Sequence, residues 1–254
     1  MGRLQDDWRY LLLWLFVLGS LGWVLSLEPL AQSLAYHDFA DQRRFLGLSH
    51  GLNVLSSLPF LLVGSAGLLT ARRGRVGAAS AAWRALFAGI ALVGAGSAYY
   101  HWQPNDDSLL WDRLPMTIGF MGLFIALLGE YLRPRLVRLL LPSALLLGLA
   151  SVLYWHWFDD LRFYFWVQFV PLLSIPILMM LFDSGYSHRW LLLVALAWYG
   201  LAEVAEVYDL VIFQATHEVI SGHTLKHLLA GGGCYSLLWM LQVRKPVRVP
   251  AVAR

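Results

Sequence analysis

Runs of about twenty apolar residues recur along the whole of this 254-residue chain. A run of roughly that length is what one helix needs to cross the hydrocarbon core of a bilayer. Backbone N–H and C=O groups find no water in lipid, so long apolar runs imply helices, whose hydrogen bonds are internal. The runs do not alternate with a period of two, which argues against a membrane-spanning strand barrel. The composition agrees, with only 14% of residues charged, against about 25% in a soluble domain. The expected fold is an all-α integral membrane protein with eight transmembrane helices. They are placed at about 10–28, 50–70, 81–101, 108–131, 137–158, 162–182, 190–209 and 221–242.

The loops between these spans are short, and no linker, low-complexity block or internal repeat interrupts them. Three segments are expected: an N-terminal transmembrane anchor over 1–30, a core over 31–243 and a basic tail over 244–254. The first apolar region, Leu11 to Leu27, is longer than the roughly 7–15 residues of a signal peptide. Its flank also carries Asp6 and Asp7 beside Arg3 and Arg9, so retention as an anchor is expected. Loop Arg and Lys residues set orientation, the richer side being cytoplasmic. With eight spans, one side holds Arg3, Arg9, Arg72, Arg73, Arg75, Arg84, Arg133, Arg135, Arg138, Arg189, Arg244, Lys245, Arg248 and Arg254. The other holds Arg43, Arg44, Arg113, Arg162 and Lys226. Both termini are therefore expected in the cytoplasm. Trp8, Trp102, Trp111, Trp155, Trp157 and Trp190 lie near span ends, as interfacial aromatics do. Cys234 is the single cysteine, so no intrachain disulfide forms. No basic cluster interleaves with exposed aromatics, which argues against nucleic acid as a partner.

Polar residues inside apolar spans carry the functional information. Ser97 and His101 end the third span, Asp112 begins the fourth, and His223 and His227 begin the eighth. Glu203, Glu206 and Asp209 end the seventh. Ser97 and His101 are four apart and share a helix face, as do His223 and His227. The third span ends on the non-cytoplasmic side, and the fourth and eighth begin there. The five residues thus fall at one membrane depth. Two imidazoles at this spacing can bind one ion, and three histidines with an open position are the pattern of a catalytic zinc site. Asp112 could accept a proton from a water there, and Ser97 could donate to a developing oxyanion.

Plainer readings stand beside these. A histidine near a span end is commonly interfacial, and His37, His50, His156, His188 and His217 fit that role. Ser97 could bond the carbonyl four residues back. Asp112 could be a first-turn acid favoured by the helix dipole, or a partner for Arg113 or Arg162. Glu203, Glu206 and Asp209 could orient the histidine rings, pair with Lys226, or bind a separate cation. Haem needs ligands from opposite faces; His223 and His227 share one, and with His101 as the opposing ligand Asp112 and Ser97 would lack a role. A transporter would show paired, broken, half-symmetric spans, which are not found. A receptor-like or lipid-binding protein with a structural metal remains the chief alternative to an enzyme.

At these residues the chain resembles the alkaline ceramidase family, within the seven-span membrane hydrolases that include the adiponectin-type receptors and the GPI-lipid remodelling proteins. The matching pieces are Asn53-Val-Leu-Ser56-Ser-Leu-Pro59-Phe60, Ser97-x-x-x-His101, Asp112 and His223-x-x-x-His227, over roughly residues 36 to 242. The resemblance implies a seven-span core with the N-terminal span as an addition. It implies His101, His223 and His227 as ligands of Zn2+, with Asp112 as acid/base residue and Ser97 as the family's serine. The implied reaction is hydrolysis of the amide of ceramide, a membrane lipid, to a sphingoid base and a fatty acid. The chain departs from the family where eukaryotic members carry a Ca2+-binding stretch. Asp38 and Asp41 remain of it, but Arg43 and Arg44 oppose a cation there. The glutamate position reads His50, and the Ser-Asn pair reads Ser56-Ser57. The compact, arginine-rich loops point to a bacterial inner membrane, where the natural substrate can be another lipid amide or ester.

Overall fold

A computed structural model of the chain describes residues 7–72 and 76–247. The expected basic tail from position 248 onward, with Arg3, Arg73 and Arg75, lies outside the described residues. The described residues are helical throughout, with no strand beyond two isolated bridges. The helices are α1 (Asp7–Ser26), α2 (Gly51–Leu55), α3 (Leu58–Arg72), α4 (Ser80–Trp102) and α5 (Asp106–Tyr131). They continue with α6 (Arg135–Phe158), α7 (Arg162–Leu181), α8 (Leu191–Val207), α9 (Asp209–Ala215) and α10 (Gly222–Val243).

Six of the expected spans are long and apolar enough to cross a membrane, and the bent pair α8–α9 makes a seventh if it is one span. This is the pattern of a multi-pass membrane protein. Two expected spans differ from a plain apolar rod. The seventh breaks at Tyr208, where α8 and α9 meet at 81°. The eighth is the helix α10, but it falls outside the apolar set. It carries His223, Lys226, His227 and three consecutive glycines, and it packs between α8 and α3.

Local chemistry sets the helix ends that matter. Asn105 and Ser108 form a reciprocal capping box at the start of α5, which satisfies two amides that have no partner within the helix. Ser221 accepts from the amide of Thr224 and starts α10. The span α2–α3 is interrupted at Ser56–Ser57 because Pro59 has no N–H to return to the carbonyl of Leu55. The Ser56 hydroxyl donates to the Asn53 carbonyl instead, at 2.8 Å.

α5 is the axis of the bundle. Of its apolar window 72% is buried, against 11% for α1. It packs closely on α4 through small residues: a Cβ on Gly89 would strike the backbone of Gly119, and one on Gly122 would strike Leu86. α6 and α7 cover the other side of α5, and α8, α10 and α3 complete the ring. α7 and α8 touch only sparsely. α1 docks outside, on α7, with Leu13 and Val17 buried there and Trp166 Nε1 donating to Ser20 Oγ at 3.1 Å.

The segment 27–50 forms a strap across the end of the bundle where α4 finishes and α5 and α10 begin. It is tied down by the α6–α7 turn: the Gln32 amide donates to Asp159 Oδ1 at 2.8 Å, and the Leu161 amide donates to the Leu30 carbonyl at 2.8 Å. Arg162, whose guanidinium holds the Asp160 carboxyl below the usual carboxylate range, also donates to the carbonyls of Leu25 and Leu27.

At the opposite end a buried ion pair replaces part of the expected tail. Arg244, the first residue of the expected basic tail, has a side chain that is only 2% exposed and pairs with Glu130 in the last turn of α5. Both guanidinium Nη atoms donate to the carboxylate, at 2.9 and 2.8 Å. Trp83 Nε1 donates to the same carboxylate at 2.6 Å, and the Tyr186 ring lies 4.1 Å from the guanidinium. Removing one member of such a pair leaves an uncompensated buried charge, at a cost of about 3–5 kcal/mol. Arg244→Met should therefore lower stability by about that amount, read as a reduced unfolding midpoint in detergent. The double variant Arg244→Met/Glu130→Leu should recover most of the loss.

Candidate metal centre

His101 closes α4, and His223 and His227 occupy the first two turns of α10. All three are buried, and one nitrogen from each lies within 4.8 Å of the others. His101 Nε2 and His223 Nε2 are 3.3 Å apart. Tetrahedral ligands at Zn–N bonds of about 2.0–2.1 Å lie about 3.3–3.4 Å from one another, so this pair already stands at the required separation. Two facing nitrogens at that distance can share only one proton, and a cation satisfies both lone pairs. The group can hold a metal ion.

α10 reaches this position through Gly222. A Cβ there would collide with the carbonyl oxygen of Ala205 and come within 2.6 Å of Asp209 Cα, so only glycine lets the helix start nest in the bend between α8 and α9. Asp209 caps the arrangement. Its carboxylate accepts from the His223 amide at 2.7 Å and from the Ala40 amide of the strap at 2.9 Å.

The ring orientations have identifiable sources. Because the Ser56 hydroxyl donates to the Asn53 carbonyl, Ser56 Oγ accepts from His227 Nδ1–H at 2.8 Å. That bond fixes the tautomer and leaves the Nε2 lone pair of His227 for a metal. Glu206 lies 3.8 Å from His223 Nδ1 and pairs with Lys226 Nζ at 2.5 Å. His101 Nδ1 has no hydrogen-bond partner among the described residues. Phe39 of the strap packs its ring against those of His101 and His223, at 4.8 and 4.5 Å between centroids.

The three acids expected near the rings thus separate. Glu206 approaches an imidazole, Asp209 holds backbone amides, and Glu203 lines the cavity. Asp112 pairs with neither Arg113 nor Arg162: Arg162 is held by Asp160, and Arg113 donates to Gln32. Asp112 instead borders the cavity together with Ser97, whose Oγ accepts from the Ser57 hydroxyl at 3.2 Å. α4 and α5 come close here at Gly96, where a Cβ would strike the Trp111 carbonyl and lie 3.3 Å from Asp112 Cα. Asp41 is engaged by Arg43 through both oxygens, each at 2.8 Å. Burial raises its pKa, but the side chain and amide of Arg43 outweigh burial and hold the carboxyl low. An internal guanidinium therefore stands where a calcium ion would need Asp41, while Asp38 is exposed.

A cavity of about 530 Å3 opens beside the cluster. His227, Ser97, Asp112 and Lys226 line one end, and Leu86, Leu123, Leu172 and Leu237 line the other. His227 is the ligand candidate that borders this space; His101 and His223 do not. The sequence reading missed Phe39 and gave no role to Ser56, although Ser56 belongs to the Asn53–Phe60 stretch it singled out. No protein-family model matches the chain, and no curated protein shows significant similarity to it.

Partners that orient a ligating histidine are worth about 10–100-fold in metal affinity. Ser56→Ala should weaken binding of a divalent metal ion by about that factor, measured by competition with a chromophoric chelator. His223→Ala should reduce metal content from near one ion per chain to a small fraction by elemental analysis.

Proposed function

We propose that the chain is a zinc-dependent membrane hydrolase that cleaves the amide of a membrane lipid, in the manner of the alkaline ceramidases it resembles. The observation that carries this reading is the cluster of three buried imidazoles bordering, through His227, an apolar cavity that also holds Asp112 and Ser97. A structural metal site is closed on all sides, whereas a catalytic one keeps an open position. The cavity supplies that open side, which speaks against the alternative of a receptor-like or lipid-binding protein with a purely structural metal.

In this reading the acyl chain lies along the apolar wall between α5, α7 and α8. The sparse contact of α7 with α8 favours entry from the bilayer, because Phe169 both lines the cavity and is 38% exposed. When bound, zinc supplies Lewis-acid polarisation of the amide carbonyl and a water whose pKa falls to about 7. Asp112 takes a proton from the attacking water and passes it to the leaving amine. The Ser97 hydroxyl, which accepts from Ser57 in the resting protein, donates to the developing oxyanion. Lys226, held by Glu206, keeps positive charge at this end of the cavity. The products are a fatty acid and an amine, a sphingoid base if the substrate is ceramide.

The same reading assigns eight spans: α1 as an added anchor, α2–α3 as one span, and a core that includes α8–α9 and the polar α10. The arginine distribution supports cytoplasmic termini and a metal site toward the periplasmic or luminal face, and the short basic loops support a bacterial inner membrane.

Purified, zinc-loaded protein should release fatty acid from a lipid amide, and a chelator should stop it. Asp112→Asn should lower kcat by about 10²–10⁴-fold while the bound metal stays at the wild-type level. Turnover by that variant at the wild-type rate would remove Asp112 from the mechanism. Metal without turnover across ceramides, N-acyl amino acids and N-acylethanolamines would favour the lipid-binding alternative.

A further inference from the structure

Arg113 follows Asp112 on α5, lines the same cavity and has no part in the chemistry above. It is 4% exposed. Its guanidinium is boxed by aromatic rings from three elements: Trp155 of α6 at 4.2 Å, Tyr164 of α7 at 4.9 Å and Tyr36 of the strap at 5.5 Å. Nη2 donates to the side-chain oxygen of Gln32 at 2.7 Å. Nη1 is buried and meets no acceptor. No carboxylate forms an ion pair with this guanidinium among the described residues: Glu206 pairs with Lys226 and Asp160 with Arg162, and Asp112 feels the Arg113 charge only through space.

A guanidinium taken out of water is costly unless an anion compensates it. Aromatic faces compensate part of that cost, and a neutral amide oxygen compensates less than an oxyanion does. The planar fork of donors matches a carboxylate or a phosphate. Gln32 sits on the strap at the mouth of the cavity, so its amide oxygen occupies a position that a ligand could take over. We infer that Arg113 is the recognition site for an oxyanion, carboxylate or phosphate, carried by the amphiphile whose chain fills the cavity. The Gln32 amide holds that place when no ligand is bound. This rests on the reading of the cavity as a lipid-amide site and narrows it: the substrate is an anionic lipid amide, such as an N-acyl amino acid, in preference to neutral ceramide.

The test separates binding from turnover. Metal-loaded Asp112→Asn protein, which binds without cleaving, is titrated with N-palmitoylglycine, N-palmitoylethanolamine and N-acetylglycine, with Trp fluorescence as the readout. N-palmitoylglycine should bind at least about tenfold more tightly than N-palmitoylethanolamine, as expected for a hydrogen bond to a charged group. Adding Arg113→Gln should bring that ratio close to one, and Arg113→Lys should keep part of it. Gln32→Ala, which leaves the guanidinium in place, should tighten N-palmitoylglycine binding. A ratio near one before Arg113 is changed, or a ratio that survives Arg113→Gln, overturns the inference. N-acetylglycine binding as tightly as N-palmitoylglycine overturns the assignment to an amphiphile. An Arg113-dependent ratio in a protein whose wild type cleaves neither lipid would sink the hydrolase reading alone. Cleavage of both lipids with no such ratio would sink only the anion site.

Discussion

Imidazoles from α4 and α10 meet at 3.3 Å although 122 positions of chain separate His101 from His223. The rest of the architecture is arranged around that approach. α4 must end, and α10 must begin, at the same level of the bundle. The bend at Tyr208 and the bare backbone at Gly222 bring α10 there, and the break at Ser56–Ser57 delivers the hydroxyl that orients His227. Each is a departure from regular helix, and each lies within one or two turns of the cluster. Buried polar atoms in an apolar interior have to be satisfied by specific partners, so the irregularities concentrate where the polar groups do.

Much of this was legible in the sequence. Apolar runs gave the helices, and the four-residue spacing of His223 and His227 gave a shared face. The short loop between the third and fourth spans placed His101 and Asp112 at the same level without any knowledge of packing. These are local properties of single helices. What could not be read is non-local. Trp155 sits near a span end and reads as interfacial, yet it is 2% exposed because α6 packs it against Arg113 of α5. Arg244 reads as the start of a basic tail, and only the position of Glu130 in another helix shows the pair that it forms. Phe39 lies in a loop without periodicity, so nothing in its surroundings announces that it covers two of the imidazoles. The bend between α8 and α9 contains neither proline nor glycine, the usual signals for a break.

The two ends of the bundle solve the burial of charge differently. At the far end Glu130 and Arg244 neutralise each other completely, with Trp83 completing the carboxylate's partners. At the histidine end the charges are dispersed: Lys226 with Glu206, Arg113 with an amide, and Asp112 facing the cavity. A closed pair fixes structure, whereas a set of incompletely matched charges around a cavity is fitted to receive a polar guest. The contrast supports placing the chemistry at one end and the mechanical anchoring at the other.

Asp209 gives the strap a second significance. One carboxylate grips both the amide of Ala40 in the strap and the amide of His223 on the ligand-bearing turn. Lifting the strap to admit a lipid from above would pull on the same group that seats the second imidazole. In the proposed lipid hydrolase, wide opening of the mouth would therefore work against holding an ion, and a lipid would enter sideways, through the seam between α7 and α8.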